Sequence, residues 1–232
     1  MTVSVDILQH LPLLSGLPKV TLAELSRSSD LETFNKREVV YNKGDQANHL
    51  YFLYDGRVQG VDFTVDGKEV GCFFADPGDF FGELGVMDGK AQPESVVSLV
   101  KSTVVALPKQ AIRPLLTAMP TMAEALMLKL ADKLRQASTQ RKILGLATPL
   151  QKVCAQLWTM HVSTSEDQPT GKIPLMPTHQ ELAIMINASR ETVTRVFQLL
   201  QSKSVVQRDG NDLLLLNLQL LKEISEGTQE GL

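Results

Sequence analysis

The sequence predicts an α+β chain in three parts: an antiparallel β-roll (a jelly roll), then a long helix, then a small C-terminal domain in which two short helices precede a hairpin. Three observations predict it. Residues 31–107 are short β-rich runs punctuated by Gly and Asp. Residues 121–145 carry apolar residues at helix period, interrupted at Arg141. Residues 178–216 hold two capped amphipathic stretches and two apolar runs around Asp209-Gly210-Asn211-Asp212. The boundaries that follow are 1–120, 121–147 and 148–232.

The elements follow in order. Residues 6–29 read as helical, with Thr21-x-x-Glu24 as a capping box ahead of Leu25. Strands are expected at 38–41, 49–54, 57–61, 69–74, 95–100 and 103–107. Asp55-Gly56, Asp66-Gly67 and Asp76-Pro77-Gly78-Asp79 mark turns. Many short strands separated by such turns make an antiparallel roll. Pro108 to Met119 read as short helical turns. Thr121-x-x-Glu124 opens the long helix, and Gly145 closes it. Ala123, Met127, Leu130, Leu134, Ala137 and Leu144 form a seam suited to a parallel two-stranded coiled coil, interrupted by Arg141. Leu126, Leu128 and Ala131 offer a second face for the roll. Thr148 and Pro149 are a ready N-cap and first residue for a helix over 149–162, which buries Leu150, Val153, Cys154, Leu157 and Trp158. Ser163 to Gly171 is a polar loop, Lys172 to Met176 a short strand, and Leu218 to Ile224 a closing helical turn. The tail from Ser225 is expected to fray.

Thr178 and Glu181 form a capping box, Leu182, Met185 and Ile186 give the helix that follows an apolar face, and Asn187 suits the left-handed residue that ends it. Ser189 then caps a second helix. At about 100° per residue, Arg190, Glu191, Thr194, Arg195 and Gln198 share one stripe. Val193, Val196, Phe197, Leu199 and Leu200 share the other. Two short helices joined by about three residues are a helix-turn-helix, and the second is the charged one. A guanidinium held out near its N-terminus suits a major groove, where Arg bonds guanine and Glu accepts from cytosine. The hairpin over 205–216 is the wing.

At Gln180-Glu181-Leu182-Ala183 and Ser189-Arg190-Glu191-Thr192-Val193-x-Arg195 the sequence resembles the cyclic-AMP receptor / fumarate-nitrate regulator superfamily of bacterial transcription factors. The likeness extends over nearly the whole chain: Gly44-Asp45, Leu53-x-x-Gly56 and Gly78-Asp79-x-x-Gly82-Glu83-Leu84 stand where that family has the glycines of its cyclic-nucleotide-binding β-roll. The resemblance implies a homodimer that places two reader helices about 34 Å apart on a palindromic TGTGA-like site in double-stranded DNA. It implies that Arg190 reads a guanine, Glu191 a cytosine and Arg195 a second guanine or a neighbouring thymine. It adds phosphate contacts from Thr178, His179 and Ser189, Thr194 on the same stripe, and RNA polymerase as a further partner. His179 stands where a basic residue is common.

For the roll, the resemblance implies an effector site at Gly82, Glu83, Leu84, Ser95, Lys133 and Ser138. A nucleotide second messenger is the effector class it offers; no cofactor follows from the residues themselves. The cationic Arg of the family's phosphate site is absent. Pro93-Glu94-Ser95 stands there instead, and Ala137 removes a hydroxyl from the helix. A carboxylate beside a phosphate repels it by on the order of a few kcal/mol in a partly dry pocket. The expected effector is therefore not cyclic AMP in the usual pose, and a cyclic dinucleotide stays open. The alternative reading is a small-molecule sensor acting on a protein partner. An iron–sulfur sensor would need a cysteine cluster near the N-terminus, and there is none; a haem sensor would need an axial His or Cys, for which His49 and Cys72 exist, and a lone His in a strand such as His49 reads as structural.

Composition bounds these readings. No apolar run is long enough to span a membrane. The start lacks the basic region of a secretory signal. The two cysteines, Cys72 and Cys154, lie far apart. The expected location is the cytoplasm. No catalytic motif stands out, so no enzyme is expected. Net charge is −3, and residues 149–232 hold 7 basic against 9 acidic groups. DNA binding must then rest on locally placed charge and on two copies, since no global basic field exists.

Overall fold

The computed structural model describes residues 3–65, 67, 69–164 and 171–228. The chain divides into two compact units, Met1–Leu134 and Arg135–Leu232.

The first unit opens with α1 (Val5–Gln9) and α2 (Lys19–Ser28). Strands β1 (Asp30–Phe34), β2 (Val39–Tyr41), β3 (His49–Asp55), β4 (Val58–Phe63), β5 (Glu69–Ala75) and β6 (Phe80–Phe81) follow. Then come α3 (Glu83–Asp88), β7 (Ser95–Ser98), β8 (Ser102–Pro108), α4 (Lys109–Ala118) and α5 (Pro120–Gly145). The strands form two antiparallel four-stranded sheets, ordered β1-β8-β3-β6 and β2-β7-β4-β5. This is the expected roll. Alternation along the strands explains its two cores. Tyr51, Leu53 and Val104 join Tyr41, Val58, Phe81 and Val96 in one cluster. Leu50, Phe52, Val105 and Leu107 point the other way and join Leu8, Leu22, Leu25 and Ile112 from the helices.

Several details differ from expectation. The lead-in is two helices with a turn between them. Pro18 is the N-cap of α2 and no side chain caps it, so Thr21 lies inside the helix and the proposed capping box does not form. Strands β1 and β6 and helix α3 were not anticipated. On α5, Met122 and Leu126 are buried, and Leu130, expected on the dimer seam, packs with them against the helix-side core instead. Leu128, assigned to that face, is 61% exposed instead, because steps of four from Met122 carry the buried stripe past it. Gly67 takes a positive φ of 78°, while Asp66 of that turn lies outside the described residues.

The second unit holds the rest of α5, then α6 (Pro149–Thr164), β9 (Lys172–Ile173), α7 (His179–Ile186) and α8 (Arg190–Ser202). The hairpin β10 (Val206–Asp209) and β11 (Asp212–Leu215) and helix α9 (Leu218–Glu226) complete it. The sheet order is β10-β11-β9, and α6 packs on α7, α8 and α9. Val153, Cys154, Leu157, Ile186, Phe197, Leu200, Leu221 and Ile224 are buried there, while Leu150 and Trp158 are only half-buried. The expected loop falls mostly on residues 165–170 and the tail partly on 229–232, outside the described residues. Ser225 and Glu226 are helical, which corrects the expected fraying at those two. Neither cysteine is in a disulfide. Among the described residues, no helix is long and apolar enough to cross a membrane.

Candidate nucleic-acid interface and sensor pocket

The helix-turn-helix is set by three local devices. Thr178 Oγ1 accepts from Glu181 N at 3.3 Å, and Glu181 Oε2 accepts from Thr178 N at 2.8 Å. That reciprocal pair satisfies two donors at the start of α7. Asn187, at φ 52° and ψ 56°, ends α7 in the left-handed conformation that its short side chain tolerates. Ser189, extended at φ −84°, accepts from Thr192 N at 3.1 Å and starts α8. Helix α8 then buries Val193, Val196, Phe197 and Leu200. Its opposite stripe, Arg190, Glu191, Arg195 and Gln198, is exposed.

The exposed stripe is chemically defined. The Glu191 carboxyl is held below the usual range, first by its own backbone N–H at the open helix start, then by the Ser189 hydroxyl, Arg190 and Arg195. Glu191 is thus an ionised acceptor at neutral pH. Thr194 differs from its companions. Its hydroxyl donates to Arg190 O at 2.9 Å and meets His179 Nδ1 at 2.9 Å. The His179 ring stacks on Phe197, centroids 4.6 Å apart. Burial, then Arg208 and Arg190, lower the His179 pKa from its ordinary 6.5.

Arg208 on β10 was not singled out from the sequence. It is exposed, and its Nε donates to Gly210 O at 3.1 Å. A lone Arg in a hairpin strand gives no signal until the fold brings it near the His179 imidazole. At the hairpin, Lys172 Nζ lies 2.7 Å from Asp212 Oδ2 and 3.7 Å from Asp209 Oδ2.

In the roll, Gly82 takes φ 77°, and a Cβ there would sit 3.1 Å from the Tyr51 ring. Glu83, the next residue, is buried at 5% exposure. Its Oε1 lies 3.0 Å from Lys133 Nζ, which also donates to Phe80 O at 2.8 Å and sits over the Phe80 ring at 4.8 Å. Glu83 and Lys133, both expected to meet an effector, are thus partners of each other. Leu84 is 50% exposed. Ser95 Oγ accepts from Lys43 N at 2.9 Å. Ala137 and Ser138 are exposed and belong to the second unit.

Glu94 titrates abnormally. Burial, then the charge of Glu83, push its carboxyl from 4.5 up to about 7, against a smaller opposing pull from Lys133. The same burial, then Glu94 and Glu83, raise the Tyr41 hydroxyl. Tyr41 Oη and Gln92 Oε1 are buried without a hydrogen-bond partner among the described residues. Among the described residues, no cluster of His, Cys, Asp and Glu could hold a metal ion.

Residues 31–118 match the cyclic nucleotide-binding domain family, and residues 151–224 match the Crp-like helix-turn-helix domain family. The chain is 23% identical over 218 residues to the CRP-like cAMP-activated global transcriptional regulator of Mycobacterium tuberculosis, covering 93% of this chain and 97% of that one. It is 28% identical over 189 residues to the cyclic AMP receptor protein of Thermus thermophilus, covering 81% and 84%.

The chain belongs to the CRP/FNR superfamily of transcription regulators. Among solved structures, this CRP/FNR chain shares the fold of FixK2 from Bradyrhizobium japonicum, with TM-score 0.75, 21% identity, and coverage of 84% and 96%. Its function is regulation of transcription through a helix-turn-helix.

Proposed function

We propose that two copies of this chain read a palindromic TGTGA-like site in double-stranded DNA. The observation that carries this reading is the outer stripe of α8: two exposed arginines and an ionised glutamate, held at the start of a helix whose other face is anchored in the core. Arg190 bonds a guanine, Glu191 accepts from a cytosine amine, and Arg195 bonds a second guanine or contacts the neighbouring thymine. Thr178, His179 and Ser189 touch phosphates and set the register. Thr194 supports this face from within, since its hydroxyl is already engaged by Arg190 O and His179.

Dimerisation through α5 is supported by Met127 and Leu134, seven residues apart and 62% and 73% exposed. An apolar pair at heptad spacing on a 26-residue helix is what a coiled-coil seam needs. RNA polymerase is the further partner of such a regulator.

The roll senses a small molecule other than cyclic AMP in the usual pose. Two features support this. Lys133 is committed to Glu83, the carboxylate that would accept from a ribose. Glu94 adds a second, partly ionised carboxyl where an incoming phosphate needs a cation.

The test is binding to an inverted-repeat duplex and to a scrambled one across a salt series, with thermal-shift screening against cyclic mono- and dinucleotides. Preference for the inverted repeat with a steep salt dependence supports the DNA reading. Indifference to every inverted repeat at low salt overturns it and favours a sensor acting on a protein partner. A cyclic AMP shift that Glu83→Ala abolishes overturns the effector reading.

A further inference from the structure

The hydrogen bonds of α8 favour one tautomer of the His179 imidazole. Thr194 has a single hydroxyl proton, and it goes to Arg190 O at 2.9 Å. The Thr194 oxygen therefore accepts from His179, 2.9 Å away, and Nδ1 is the donor. The ring cannot turn out of this bond cheaply, because it is stacked on Phe197 with centroids 4.6 Å apart and planes 28° apart. A neutral imidazole carries one ring proton. With that proton fixed on Nδ1, Nε2 presents a lone pair and repels a phosphate oxygen. The tautomer that would offer a neutral Nε2 donor needs the Thr194 hydroxyl to leave Arg190 O and turn to Nδ1. Only a second proton turns Nε2 into a donor, and then into a charged one, which makes the stronger kind of hydrogen bond.

The groups facing the ring hold it in the neutral state. Arg190 of α8 and Arg208 of β10 both oppose its protonation. The carboxylates of the two helix starts are engaged elsewhere. Glu181 accepts from Thr178 N, and Glu191 is bonded at the start of α8 and by Ser189.

We propose that His179 is a proton-operated grip on the DNA backbone: its ring takes up a proton as a phosphate oxygen arrives at Nε2, so the domain holds DNA more tightly as pH falls, whatever the base sequence. This rests on the DNA-binding reading of the second unit. The sign follows from linkage. Free His179 titrates below its ordinary value, and a phosphate at Nε2 raises it. The contact is fully present below the free value and lost above the bound one. Between them, affinity falls by up to about tenfold per pH unit for each His179 engaged.

The experiment is fluorescence anisotropy of the full chain on an inverted-repeat and a scrambled duplex, at fixed low salt, between about pH 5.5 and 8. Wild type should weaken with rising pH on both duplexes. His179→Gln keeps an amide donor for Thr194 but cannot titrate, and its profile should be flat. His179→Arg should be flat and tight. If wild type binds without the slope, or His179→Gln keeps it, the grip is overturned while the DNA reading stands. If no duplex binds at any pH, the DNA reading fails and the grip with it. In the free protein, NMR should show the neutral ring protonated on Nδ1; protonation on Nε2 would also overturn the proposal.

Discussion

Glu94→Gln should stabilise the roll at alkaline pH and do nothing at acid pH. The Glu94 carboxyl moves from 4.5 to about 7 because burial and the neighbouring Glu83 charge both penalise its ionised form. At 1.36 kcal/mol per tenfold, ionising it in the folded roll costs at most about 3 kcal/mol more than in the unfolded chain. Glu94 remains partly solvated, and screening brings the expected cost to about 1–2 kcal/mol. The folded chain binds this proton more tightly than the unfolded chain does. The contribution is therefore fully present below pH 4.5 and is lost as pH rises through about 7. Glutamine keeps the shape and is neutral throughout. Calorimetric unfolding of both proteins at acid, neutral and alkaline pH should show equal midpoints at the acid end. At the alkaline end the variant should lie about 5 °C higher. Identical profiles for the two proteins would refute the crowding of Glu94 against Glu83. They would also remove half of the argument against a cyclic phosphate in this pocket, because that repulsion needs Glu94 ionised.

Three other outcomes are expected. Arg190→Ala should weaken binding to the preferred duplex by about 1–3 kcal/mol and relax one base position, read by competition with single-base variants; a uniform loss on all sequences would argue against base reading. Lys133→Met leaves the Glu83 carboxylate buried without its cation and should destabilise the roll by about 2–4 kcal/mol, measured by urea unfolding; an unchanged midpoint would argue that the pair contributes nothing to the roll. Met127→Glu with Leu134→Glu places two charges on the exposed seam of α5 and should convert dimers to monomers in light scattering, with an unchanged mass arguing that the seam lies elsewhere.

What was legible in the sequence was local. The capping box at Thr178, the left-handed Asn187 and the Ser189 cap each act within four residues, so they could be read before any fold was known. The six main strands announced themselves by β-rich runs between turn residues. Strand β1 did not, because Asp-Leu-Glu-Thr-Phe is mostly polar and exposed; its pairing with β8 makes it a strand. Helix α3 was hidden between Gly82 and Gly89, which read as loop punctuation and in fact serve as left-handed ends. Thr21 misled because the same four-residue pattern occurs inside a helix that Pro18 has already started. Leu128 and Leu130 are both apolar at plausible spacings, and only packing decides which of them the roll covers. The Lys133–Glu83 pair joins residues 50 positions apart, and nothing in either neighbourhood predicts it.

The negative net charge looks like an objection to DNA binding, and the structure shows where its force goes. Glu181 is folded back onto the start of its own helix, and Asp212 is held by Lys172 at the hairpin. Glu191 is the acidic group that remains on the outer stripe of α8, and in the proposed complex a cytosine amine would be its partner. The cations that act on His179 and Glu191 are Arg190, Arg195 and Arg208, all exposed. A few cations release few counterions, so binding to arbitrary DNA should be weak at physiological salt and the salt slope modest for each domain. In the proposed dimer, affinity would then depend on base contacts made at two half-sites together, each adding discrimination of about 1–3 kcal/mol per well-formed pair. An acidic chain with a sparsely charged reading face gives up non-specific binding and keeps its specificity ratio. On the proposed reading the dimer is then a requirement for occupancy, and a duplex with one half-site alone should not hold this protein.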